Sequence, residues 1–100
     1  GYHDFSFTIT DFSLVKSNTS SLWEYTVKVD ITNDNDIDLG RIFGQSLLYL
    51  TNGLIADYSN SYVKASLKVG ETMELIFTYF LNEDETVYKI DFWGDGYPAD

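Results

Sequence analysis

The residues best placed to do chemistry in this 100-residue chain form one short acidic run, Asp34-Asn35-Asp36-Ile37-Asp38-Leu39-Gly40. Carboxylates at alternate positions of a tight loop can converge on a hard cation, and calcium takes six to eight oxygen ligands. Asp34, Asp36 and Asp38 are therefore candidate metal ligands, and calcium is the ion they suit. An EF-hand loop needs Gly at its sixth position and Glu at its twelfth. Leu39 and Gln45 stand there, so this is not an EF-hand. The competing reading is a solvated turn, in which Asn and Asp side chains cap their own backbone. A second acidic group, Glu83-Asp84-Glu85, reads as charge on a hairpin turn.

The run Asp91-Phe92-Trp93-Gly94-Asp95-Gly96-Tyr97-Pro98 combines aromatics, carboxylates and glycines. Sugar rings stack their C–H faces on aromatics while their hydroxyls bond to acids. Trp93 and Tyr97 are accordingly candidate ligand-binding residues for a carbohydrate. The same side chains could instead plug one end of the fold, where amphipathic aromatics are common. His3 is the only histidine, so neither a histidine metal pair nor a Ser-His-Asp set can be assembled. There is no phosphate loop, dinucleotide fingerprint, HExxH motif or nucleophile elbow. The expectation is a protein that is not an enzyme and carries no cofactor, calcium being the one candidate.

Composition narrows the class further. With 44% hydrophobic and 17% aromatic residues and no cysteine, the chain supports one core and has no disulfide to staple a second. Residues 1–100 read as a single domain, with Gly1 as a remnant of tag cleavage and Tyr97 to Asp100 as a tail. The net charge of −10 disfavours a nucleic-acid backbone or an anionic membrane surface as partner. No apolar run approaches a membrane span.

The elements that must position these residues are strands. Trp23 to Ile31 places an apolar residue at every odd position and a polar one at every even position, the period of a half-buried strand. Phe5, Phe7 and Ile9 alternate, then Phe12 and Leu14 alternate on the opposite parity. A bulge near Thr10-Asp11 would return all five to one face. Asn52-Gly53 predicts a type I′ hairpin turn. Val63, Ala65, Leu67 and Val69 predict a further strand, whose Lys64 and Lys68 suit a sheet edge. Met73 to Leu81 predicts a central strand covered on both sides, and Tyr88 to Phe92 a closing one. The sum is an all-β, antiparallel, immunoglobulin-like β-sandwich of about seven strands, with a small closed barrel as the alternative. Trp23, Tyr25, Val27, Val29, Met73, Leu75, Phe77 and Leu81 are the expected core.

The stretch from Trp23 to Phe92 resembles the small immunoglobulin-like sandwiches of bacterial envelope lipoproteins, including the FxLYD-type domains. The likeness rests on Val27-Lys28-Val29-Asp30-Ile31 running into Asn33-Asp34-Asn35, on Leu48-Tyr49-Leu50-Thr51-Asn52-Gly53, on Leu67-Lys68-Val69-Gly70-Glu71, and on Tyr88-Lys89-Ile90-Asp91-Phe92. Leu48 and Tyr49 match the naming motif, while Ser46 and Leu50 replace its Phe and Asp. The resemblance implies an extracytoplasmic, non-catalytic accessory domain, secreted or anchored at the envelope. The leading expectation is thus a module that binds a protein partner at the cell envelope. A calcium- or carbohydrate-binding module is the first alternative. The second is an acidic mimic of nucleic acid that inhibits a DNA-binding protein, a role that needs one contiguous stripe of carboxylates.

Overall fold

A computed structural model describes residues 1–99, with the side chains of 55–60 outside the description. The chain is all-β. Its strands are β1 (Phe5–Lys16), β2 (Trp23–Asn33), β3 (Arg41–Leu50), β4 (Ile55–Val63), β5 (Thr72–Leu81) and β6 (Val87–Tyr97). They form two antiparallel three-stranded sheets, ordered β1-β2-β5 and β4-β3-β6. No ladder joins the two sheets along their sides among the described residues, so the closed-barrel alternative is set aside.

The alternating strand lies at the centre of the first sheet, where Val27, Val29 and Ile31 are fully buried. β3 is its counterpart in the second sheet and buries Ile42, Leu48 and Leu50. Leu75, Phe77, Tyr79 and Leu81 of β5 complete the interface, with Leu39 and Leu67 from the loops. Each such side chain contributes about 1.5–3 kcal/mol when fully removed from water. An aromatic series ties the layers together. Phe7 of β1 stacks on Phe92 of β6 at 5.8 Å, and Phe92 meets Phe77 of β5 at 5.4 Å. Gly44 faces this interior; a Cβ there would stand 2.6 Å from Leu75 Cδ1 and 3.0 Å from the Phe77 ring.

The bulge in β1 is present. The register slips between Ile9 and Asp11, after which Phe12 opposes Val27 and Leu14 opposes Tyr25. Directly opposed residues share a face, so Phe5, Phe7, Ile9, Phe12 and Leu14 all sit on the core-facing side.

Five expectations need correction. Six strands are described in place of about seven. The segment after Val63 is a loop, pinned by one bridge between Leu39 and Leu67. The partner of β3 is the polar stretch before that loop, β4. The turn after β3 forces this, because the Gly53 amide closes on the Leu50 carbonyl at 3.0 Å and β4 must start at Ile55. That turn is not type I′. Only Gly53 has positive φ (+86°), the pattern of a type I turn followed by a glycine bulge. Finally, β5 is an edge strand, and Ile76 and Phe80 on its outer side are exposed. Trp23, Tyr25 and Met73 are only half-buried, although their cross-strand partners Leu81, Tyr79 and Ile31 are buried.

Candidate functional site

The acidic turn follows β2 and is built around two buried asparagines. Asn33 donates from Nδ2 to the Ile37 and Leu67 carbonyls, each at 3.0 Å, and its Oδ1 accepts from the Asn35 backbone and side-chain amides at 2.9 Å. Asn35 Nδ2 also donates to the Asp4 carbonyl at 2.9 Å, while its Oδ1 accepts the Asp4 amide at 3.0 Å. The carboxylates point elsewhere. Asp34 accepts from the Ser6 hydroxyl, and Asp38 accepts the Val69 amide at 2.9 Å. Asp36 is exposed. Among the described residues no three acidic or histidine side chains come together as a metal ligand set. Asn33 and Asn35 organise the turn, and Asp34, Asp36 and Asp38 decorate it.

The aromatic run does not plug an end. It is the second half of β6, whose pleat sends Gly94 and Gly96 inward and Trp93, Asp95 and Tyr97 outward. Register with β3 sets them beside Gln45, Phe43 and Arg41. Tyr62 of β4 joins the patch, its ring 4.5 Å from Phe43, and Tyr97 meets Phe43 edge-on at 5.8 Å. Arg41 lies over the Tyr97 ring at 5.2 Å, a cation–π contact. Tyr97 donates to Asp95 Oδ2 at 2.6 Å. That bond, then the Asp95 charge, then burial hold its hydroxyl pKa above the ordinary tyrosine value, with Arg41 pulling the other way. His3 reaches this strand from the N-terminal segment. Its Nδ1 stands 3.3 Å from the Gly94 carbonyl and 3.5 Å from Asp95 Oδ1. Trp93 and Tyr97 thus belong to one outer sheet face, in company with Phe43 and Tyr62 that the sequence reading left out.

A third surface was hidden from sequence. Ile9, Phe12 and Leu14 point to the core side of their sheet, yet they are 49%, 65% and 52% exposed. Phe7 still stacks on Phe92, and beyond that contact the core-side face of β1 is open to solvent. Tyr25 lines this region, 6.3 Å from the Phe12 ring, and partial burial raises its pKa. At the far end a hollow of about 130 Å³ is lined by Leu14, Trp23 and Leu81, with Asn82, Glu83 and Glu85 on its rim. A mostly apolar floor with a carboxylate rim can hold an aliphatic side chain next to a cation. It offers no reactive group positioned for covalent chemistry.

No protein-family model, curated protein or solved structure matches the chain.

Proposed function

We propose that this chain is a non-catalytic protein-interaction module that works outside the cytoplasm, at or beyond the cell envelope. The observation that carries the reading is the uncovered core-side face of β1. Three large apolar side chains stand about half exposed or more on the side of a sheet that is normally buried. Contiguous exposed apolar surface of this kind marks interaction sites. The sheet orders β1-β2-β5 and β4-β3-β6 fit an immunoglobulin-like sandwich short of the strand that would lie beside β6, which supports the same reading. The envelope setting is supported by the resemblance of Trp23 to Phe92 to envelope lipoprotein domains.

The test is to substitute Phe12→Asp and Leu14→Asp separately. At a docking surface each should move the melting midpoint by no more than about 2–4 °C, the scale of surface substitutions. A photo-crosslinking residue at position 12, introduced in the native cells, should trap a protein. A loss of stability on the scale of core substitutions, or an empty crosslink, would sink the reading.

One observation favours a carbohydrate-binding reading instead. Trp93, Tyr97, Phe43 and Tyr62 share one outer face with the polar groups of Asp95, Gln45 and Arg41. Under that reading the protein is retained on an insoluble polysaccharide such as chitin, cellulose or peptidoglycan, and Trp93→Ala abolishes retention. Equal passage of both proteins through all three removes it.

A further inference from the structure

We infer that the gap between β1 and β6 is a docking slot for one extended, basic strand from a partner protein, added to the free edge of β6. This inference rests on the protein-interaction reading and names the form and chemistry of the partner.

The edge of β6 already shows how it takes a strand. Tyr2 and Gly96 exchange both backbone bonds there, at 2.9 and 2.8 Å. In an antiparallel ladder such outward-facing groups recur at every second residue. From Gly96 that parity passes through Gly94, whose carbonyl meets His3, to Phe92 and Ile90. Among the described residues no strand pairs with Phe92 or Ile90 on this side. A strand in that position would continue the line begun by residues 1–3. It would also lie under the outer half of β1 and cover Ile9, Phe12 and Leu14. Alternate side chains of the incoming strand would face that apolar floor, and the last of them would reach the hollow formed by Leu14, Trp23 and Leu81.

The occupant follows from charge and topology. Glu83 and Glu85 rim the hollow, and the chain carries −10 overall. A second copy would bring another −10 to the same place, whereas lysines on the solvent-facing side of the strand would meet the rim. Tyr2 already holds the edge of β6 at Gly96, so an incoming strand pairs on the Phe92 and Ile90 side of that bridge. Recognition by strand addition draws its affinity from main-chain bonds and its selectivity from pockets for alternate side chains.

The probe is a short capped peptide alternating isoleucine or valine with lysine, compared with a scrambled peptide of the same composition. The readout is hydrogen exchange at single amides of the full chain. Binding of the alternating peptide should slow exchange at Ile90 and Phe92 about tenfold or more. Phe12→Asp should abolish the effect, and so should N-methylation of the peptide amides that face β6, which leaves the protein untouched. Equal protection by the scrambled peptide would reduce the effect to bulk charge and overturn the inference. No protection at millimolar peptide would overturn it as well. Sedimentation showing a dimer at neutral pH with Ile90 and Phe92 protected would give the slot to a second copy instead. If position 12 crosslinks a protein but the peptide fails, the interaction reading stands and the added strand falls. If both fail, both fall.

Discussion

Asn33 is the residue on which most of the local architecture converges. Its side chain satisfies both donors and accepts two bonds, all with other parts of the turn or with Leu67 more than thirty residues away. Its own amide bonds to the Glu71 carbonyl at 3.0 Å, and its carbonyl accepts the Gly70 amide at 2.8 Å. Truncation to alanine would take the partner from the Ile37 carbonyl and the Asn35 backbone amide, while the Leu67 carbonyl keeps the Leu39 amide and the Asn35 side chain keeps the Asp4 carbonyl, and leaving buried groups unpaired costs roughly 1–3 kcal/mol each before relaxation. Asn33→Ala should therefore lower the unfolding free energy by about 2–4 kcal/mol in a denaturant titration, while Asp36→Asn on the exposed rim should change it little. A result the other way round would mean that the carboxylates hold the turn. Sequence showed that Asn and Asp cluster there, as turns require. It could not show which of them turn inward, since the deciding partners, Asp4 and Leu67, come from distant segments.

Strand periodicity was legible wherever apolar residues alternate on the side that faces the opposing sheet. β2 alternates without fault, and the parity switch in β1 located its bulge within a residue. The hairpin at Asn52-Gly53 was legible, but the extent of β4 was not, because its middle, Asp57 to Ser61, is polar and its pairing with β3 runs through the backbone. The segment from Val63 to Val69 alternates as a strand should, yet only Leu67 is fully buried, with Val63 at the end of β4 packed against the core. Alternation also misplaced β5. Ile76 and Phe80 on its second face suggested cover from both sides, and both are exposed on an edge strand. The outer aromatic face was half legible. Trp93 and Tyr97 stood out by type, but Phe43 and Tyr62 join them only through the β3–β4 and β3–β6 registers. In each case the pattern along one strand told which way a side chain points. It did not tell what stands opposite, and that is set by the packing of other strands.

At the scale of the whole molecule, an open slot beside the free half of β6 is an aggregation hazard, because unpaired backbone groups next to an apolar floor invite a second copy. The bulge in β1 and the net charge of −10 counter it. Charge is the part that can be switched off. As pH falls toward the acidic isoelectric point the carboxylates protonate, the repulsion between copies fades, and edge pairing becomes the remaining short-range force. Light scattering at fixed concentration should therefore report a monomer at neutral pH and association as the net charge approaches zero. Phe12→Asp should suppress that association, because it puts a polar group on the surface the copies would share. Asn52→Asp adds the same single negative charge but lies in the exposed turn after β3, and should leave the association in place. If Phe12→Asp associates as readily as the wild type, the contact lies elsewhere on the molecule, and the exposed outer rings of Phe43, Tyr62 and Trp93 become the surface to substitute next.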